Sequence, residues 1–279
     1  MSVAGLLTIT RPANAIVSGV TAIIAYLIAT GTVIPSTLLL LIIVTLITAA
    51  GNVINDYFDL EIDRINRPQR PLPSGRVSPM AARCLAVTLF LAGILAALFT
   101  PLLCLFIVVI NSLVLVLYAA KFKGMPVVGN AAVAYLASSI FLFGGAFAGG
   151  DALVQIVPLA AITFLATMVR EILKDAEDVE GDTAGGADTL PIRIGIRQTT
   201  RIALGFAVAA AIASVVPYLW WGMWYLVGIV IVDSIILVAA MSTLSCETPA
   251  CVRATRSTTL IKAGMFAALG VFALSALFL

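Results

Sequence analysis

The chain has 279 residues, 62% of them apolar and only 11% charged, with 16 Lys and Arg, 14 Asp and Glu, and no His. A water-soluble domain carries about 25% charged residues, so this composition excludes an ordinary soluble globule. The net charge of +2 says little in itself, no nucleic-acid partner is expected, and the missing His removes the usual general base and the commonest transition-metal ligand.

Uncharged tracts cover 12–55, 84–120, 124–150 and 202–232. A spanning helix needs about 20 mostly apolar residues, so each tract holds one or two. Division at Pro and Gly predicts nine transmembrane helices, over 12–30, 36–54, 79–99, 102–119, 126–149, 152–175, 197–216, 219–242 and 258–278. A β-barrel does not fit, because barrel strands alternate polar and apolar residues and runs such as "LLLLIIVTLITAA" do not. The first span follows Arg11 without a convincing cleavage site and is expected to be retained. The fold expected is therefore an all-α membrane protein, a single domain over 1–279.

Nine spans leave every Lys and Arg on one side. Arg11 precedes the first, and Arg64, Arg67, Arg70, Arg76 and Arg83 lie around the link after the second. Lys121 and Lys123 follow the fourth, Arg170, Lys174, Arg193, Arg197 and Arg201 surround the link after the sixth, and Arg253, Arg256 and Lys262 flank the last link. The positive-inside rule makes that side cytoplasmic, with the N-terminus inside. Cys84 and Cys104 fall in spans and Cys246 and Cys251 in a cytoplasmic link, where reducing conditions predict small apolar fillers rather than a disulfide.

Eleven of the acids fall in two groups. Asp56, Asp59 and Asp63 have spacings of three and four, and Asp175, Asp178 and Asp182 repeat them 119 residues later. By the same offset Asn52 and Asn55 map onto Glu171 and Lys174. This periodicity predicts pseudo-repeated halves, about 1–125 and 126–279. Such spacings place carboxylates within an arc of roughly 60° on one helix face, at the cytoplasmic ends of spans two and six. Facing halves would bring six carboxylates to one cavity, where they repel unless divalent cations sit among them; carboxylate and water ligands suit Mg²⁺. Asp151 reads as an outer turn residue, and Asp233, inside a span, has no evident role.

Basic residues beside these acids suit phosphate. Arg64, Arg67 and Arg70 follow the first triplet, Lys174 lies beside the second, and Lys121 and Lys123 follow Tyr118 in "LYAAKFKGMP". Arg grips phosphate as a fork and Lys as a point charge, although basic cytoplasmic links are also expected on topology alone. A lipid diphosphate would satisfy both the charged mouth and the apolar interior.

At these residues the sequence resembles the UbiA superfamily of intramembrane prenyltransferases. Its NxxxDxxxD motif is matched by Asn55, Asp59 and Asp63, followed by "RPLPSG", and its DxxxD motif by Asp178 and Asp182. A Tyr–Lys motif is matched loosely, since Tyr118 has Lys at plus three and plus five. The resemblance implies a nine-helix UbiA-type bundle and Mg²⁺-dependent transfer from a prenyl diphosphate. Asp56, Asp59, Asp63, Asp175, Asp178 and Asp182 would hold metal. Asn55, Arg64, Arg67, Arg70, Tyr118, Lys121, Lys123 and Lys174 would serve the diphosphate. Asp59, Asp63, Asp178 and Asp182 would form the catalytic centre. "GNVINDYFDLEIDRINRPQRPLPSGR" and "REILKDAEDVEGD" are most similar to the branch that adds a second geranylgeranyl ether to an archaeal glycerol phosphate lipid. Aromatic or tetrapyrrole acceptors are the alternatives within the family, and a divalent-cation transporter is the alternative outside it. The pattern of the CDP-alcohol phosphotransferases has no match in either acidic segment.

Overall fold

The computed structural model describes residues 2–278, and among them every regular element is a helix, with no strand. The helices are α1 (Val3–Ile9), α2 (Pro12–Thr30), α3 (Leu38–Phe58), α4 (Leu60–Asn66), α5 (Pro79–Ala97), α6 (Leu102–Ala120) and α7 (Val128–Ala148). The second half continues with α8 (Gly150–Ala184), α9 (Leu190–Ile194), α10 (Ile196–Ala213), α11 (Tyr218–Met241), α12 (Pro249–Thr255) and α13 (Ser257–Phe278). Eight of these segments are long and apolar enough to cross a membrane, so the chain is a multi-pass membrane protein.

The expected spans coincide with these helices with two differences. The seventh, 197–216, is α10, 18 residues long and outside the eight, because Arg197 and Arg201 occupy its first turns. The sixth does not stop at 175: α8 runs 35 residues to Ala184, since no Pro and a single Gly, Gly181, lie in the residues that follow. At 1.5 Å per residue it is about 52 Å long against a hydrocarbon core of about 30 Å, so its last turns stand clear of the bilayer. The short helices α1, α4, α9 and α12 carry too few residues for a periodic signal.

In lipid no hydrophobic drive pulls helices together, so small residues decide where they meet. A Cβ on Gly144 of α7 would lie 2.7 Å from Ala25 Cβ and 2.8 Å from the Tyr26 amide nitrogen, which shows how closely α2 approaches. One core gathers Leu159, Ile172, Tyr225, Ile229 and Phe272 between α8, α11 and α13, and a second gathers Leu40, Ile43, Cys104 and Phe143 between α3, α6 and α7. The opposite surfaces are apolar and exposed, as at Phe99 and Leu219, the pattern of a lipid-facing perimeter. Trp220 and Trp224, near the start of α11, suit a bilayer interface.

Asp233 does have a place. Ser214 Oγ, at the end of α10, donates to its Oδ2 at 2.5 Å, and Tyr225 Oη donates to the Ser214 carbonyl at 2.7 Å. The carboxylate thus ties α10 to α11 instead of facing lipid. The cysteine expectation requires correction, because Cys246 and Cys251 form a disulfide with Cα atoms 5.4 Å apart. Thr248 caps α12 by accepting from the Cys251 amide at 3.3 Å, and this turn folds the chain back until the two side chains meet.

Candidate active site

Hydrogen bonding runs through the break between α3 and α4. The Asp59 amide donates to the Asn55 carbonyl at 2.9 Å and the Asp63 amide to the Asp59 carbonyl at 2.8 Å. The face expected from the spacing therefore persists, with Asp56, Asp59 and Asp63 all buried. Buried carboxylates need compensation. Arg11 pairs with Asp56, and Arg70 Nη1 reaches Asp56 Oδ1 at 3.3 Å and Asp63 Oδ2 at 2.6 Å. Asn55 Nδ2 donates to Asp59 Oδ2 at 2.8 Å, and the same oxygen receives Lys123 Nζ. Arg70 is aimed by a tight loop in which the Ser74 amide returns to its carbonyl at 3.0 Å and Gly75 adopts φ +73°, a value costly for other residues.

The facing wall is α8. Asn130 of α7 donates from Nδ2 to Asp175 Oδ2 at 2.8 Å, and Arg170 pairs with buried Glu171. Lys174 and Asp178 are exposed, while Asp182 is half-buried. Arg253 of α12 fastens the outer flank of α8, donating to the Glu177 carbonyl at 2.6 Å and pairing with Glu180 at 3.2 Å. Thr258 adds a hydrogen bond to the Glu177 carboxylate at 2.9 Å.

Two side chains join the walls. Lys123 holds Asp59 and lies within electrostatic range of Asp182. The Tyr118 phenol is within range of Asp59 on one wall and of Glu171, Asp175 and Asp182 on the other. The links also touch, the Asp188 amide donating to the Gly124 carbonyl at 2.9 Å. Asp188 is itself gripped by Arg193, Nε lying 2.9 Å from both carboxylate oxygens. That hydrogen bond and charge hold the Asp188 carboxyl below the usual carboxylate range.

The sequence-predicted residues divide accordingly. Asn55, Asp56, Asp59, Asp63, Arg70, Tyr118, Lys123, Asp175 and Asp182 are brought together between the two acidic walls. Arg64 instead pairs with exposed Glu61 at 2.9 Å, and Arg67 and Lys121 are exposed and make no ion pair among the described residues. Of the two lysines, Lys123 is the one that meets the motif. Six carboxylates do not converge on one point: among the described residues no three acids form a metal-holding group. Arg11, Arg70 and Lys123 neutralise the first triplet from within, which removes the repulsion that called for cations alone.

The donor set nevertheless fits Mg²⁺. Asn130 Oδ1 is buried without a hydrogen-bond partner, Thr189 Oγ1 lies beside Asp182, and the carboxylates next to both supply further hard oxygens. Mg²⁺ takes one or two protein carboxylates and completes its shell with water and phosphate oxygens, so no all-protein cage is needed. Sequence reasoning overlooked Arg11, Asn130, Glu171 and Thr189 as parts of this site. The 119-residue offset pointed to Glu171, and Asn130 is conspicuous as an amide near the start of an apolar span. Arg11 and Thr189 carry no comparable signal.

A helical membrane bundle with two acidic walls meeting at one end defines a class of intramembrane enzyme that handles charged headgroups on apolar tails. The model of the UbiA prenyltransferase family matches residues 18–270, and the chain belongs to that family, whose activity is prenyl transfer. It is 60% identical to the digeranylgeranylglyceryl phosphate synthase of Methanoregula boonei, with 100% of both chains covered. It is 58% identical to the synthase of the same name from Methanoculleus marisnigri, with 99% of each covered. A solved structure concerning digeranylgeranylglyceryl phosphate synthase in membranes superposes with a TM-score of 0.88 at 37% identity, covering 99% of this chain and 98% of the other. A UbiA homolog from Archaeoglobus fulgidus bound to GPP and Mg²⁺ shares the fold, with a TM-score of 0.70 at 16% identity over 95% of this chain and 99% of that one.

Proposed function

We propose that the chain transfers a geranylgeranyl group from geranylgeranyl diphosphate to the free hydroxyl of geranylgeranylglyceryl phosphate, making the second ether bond of an archaeal membrane lipid. The observation that carries this reading is full-length identity of 60% to a synthase named for that product. The two halves, about 1–125 and 126–279, act as one domain with α10 as a ninth span. The N-terminus and the active-site mouth face the cytoplasm of the cell membrane, where the basic residues lie.

In this reading the donor diphosphate lies between the walls, with Asp59 and Asp63 on one side and Asp178 and Asp182 on the other. Mg²⁺, held by carboxylates of both walls, would neutralise charge on the departing pyrophosphate. Asn55 holds Asp59 in orientation, and Asp56 keeps Arg11 and Arg70 in place. Lys123, Lys174 and Arg70 draw negative charge towards themselves as the C1–O bond breaks and its electron pair leaves with the pyrophosphate. Tyr118 walls the site. The acceptor oxygen bonds to the allylic carbon, and its proton passes to Asp175 Oδ1, the oxygen Asn130 leaves free. An allylic cation is electrophilic enough that a strong base such as His is not required.

The test is an assay of purified protein with geranylgeranyl diphosphate, Mg²⁺ and three acceptors: geranylgeranylglyceryl phosphate, 4-hydroxybenzoate and a naphthoate. A diether phosphate formed from the first alone, lost on chelation and lost by about 100-fold or more in Asp59→Ala and Asp178→Ala, supports the reading. A prenylated aromatic product would overturn the acceptor. Full activity in both variants would overturn the carboxylate scheme.

A further inference from the structure

Both substrates of this reaction are anions, and two anions need two sets of cations. Arg11, Arg70 and Lys123 are committed to the first acidic wall. The acceptor carries its phosphate on the glycerol carbon adjacent to the reacting hydroxyl. That phosphate must therefore be held close to the diphosphate yet apart from it.

Arg170 answers this requirement. Its Nη1 binds Glu171, which fixes the guanidinium, but Nε is buried and has no partner. Nε and Nη2 form the side-on edge that grips two oxygens of one phosphate, and neither makes a hydrogen bond among the described residues. Glu177 lies within electrostatic range of the same guanidinium without pairing with it, and a buried, charged N–H without an acceptor is costly, so this edge is open to a further anion.

The position fits a lipid headgroup. Arg170 precedes Asp175 by five residues on α8, about 7.5 Å of helix axis further towards the bilayer, a gap that a long Arg side chain and a phosphate together bridge. On the helix wheel it lies roughly 80° to 140° from Asp178, Asp182 and Asp175, beside the carboxylate face rather than within it. Lys174 lies one turn along, between Arg170 and that face. On α13, Lys262 follows Thr258, which contacts Glu177 of the same α8 flank, by one turn. Neither lysine makes an ion pair among the described residues.

We infer that the free edge of the Arg170 guanidinium is the specificity-determining contact for the acceptor's phosphate, a subsite on the α13 flank of α8 separate from the diphosphate site. This rests on the reading that the carboxylate walls hold the donor. Arg170→Gln and Arg170→Lys, each shown folded by monodisperse gel filtration and unchanged circular dichroism, are assayed with geranylgeranylglyceryl phosphate and with neutral geranylgeranylglycerol. The preference for the phosphorylated acceptor falls by about 10- to 100-fold in Arg170→Gln, the size of one lost charged hydrogen-bonded contact. Arg170→Lys, which keeps the charge without the fork, lies between. The KM for geranylgeranyl diphosphate stays within about twofold, which separates this contact from the donor site. An unchanged preference overturns the inference, and so does a donor KM that rises in step with that of the acceptor. Failure of the donor reading is recognised separately, by Asp178→Ala remaining active on both acceptors.

Discussion

Lys123, on the link after α6, reaches across to Asp59 at the junction of α3 and α4 and lies within electrostatic range of Asp182 on α8. A single ammonium group thereby faces both acidic motifs, although the three residues are far apart in sequence. The neighbouring Lys121 is exposed and pairs with no acid among the described residues. Replacing Lys123 with Met should lower kcat/KM for prenyl transfer by about 100-fold, as for loss of one charge-stabilising donor. The same change at Lys121 should cost at least tenfold less, and steady-state kinetics on the two variants side by side checks the order.

Gly144 sits where α7 lies against the backbone of α2 at Ala25 and Tyr26. Neither contact is the end of a flexible side chain, so the helices themselves must move apart to admit a methyl group. Gly144→Ala should destabilise the protein by about 1–3 kcal/mol, the usual cost of overpacking. A thermal melt in detergent reads this as a lower Tm. An unchanged Tm would mean that the approach is looser than the backbone geometry indicates.

Asp188 and Arg193 close the link that lies on Gly124, outside the spans. The Asp188 carboxyl is held below its ordinary range by its hydrogen bond and charge contact with Arg193. A carboxyl whose pKa is depressed on folding stabilises the fold above its unfolded pKa of about 3.9, and that contribution fades as pH falls through the lower folded value. Asp188→Asn should therefore have a slightly lower Tm than the parent at neutral pH. The gap should close on acidification below about pH 4. A gap that is constant with pH would assign the effect to the backbone turn rather than to the ion pair.

The Cys246–Cys251 disulfide predicts a labelling pattern. Unfolded, unreduced protein should take up a thiol reagent at Cys84 and Cys104 alone, and at all four cysteines after reduction. Intact-mass measurement separates the two outcomes. Four labelled sites without reduction would mean that the pair is open in the purified protein.

Much of this structure was legible from residue order, for reasons that are physical. Span limits followed from hydropathy because lipid admits so few alternatives, and the carboxylate faces followed from spacings of three and four. What remained hidden depended on contact between distant segments. Nothing local to Arg11 indicates that it covers Asp56 forty-five positions away. Nothing near Asn130 announces Asp175. The choice between Lys121 and Lys123 was undecidable while the fold of the short link was unknown, because only the turn at Phe122–Gly124 directs one of them inward. The disulfide was missed for a related reason, since the compartment argument overlooked how a helix cap at Thr248 draws two cysteines together.

The uninterrupted length of α8 has a geometric consequence. Arg170, Lys174, Asp175, Asp178 and Asp182 are carried on one rod of 35 residues, with no joint among them. Their separations are therefore multiples of the helix rise, about 1.5 Å per residue, and do not depend on how a loop settles. The helix behaves as a ruler laid across the membrane surface, with its zero in the bilayer and its graduations in charged side chains. A single residue inserted between Arg170 and Asp178 would lengthen it by about 1.5 Å but would also turn one set of marks by about 100° against the other. On such an instrument the angular error is the one that matters.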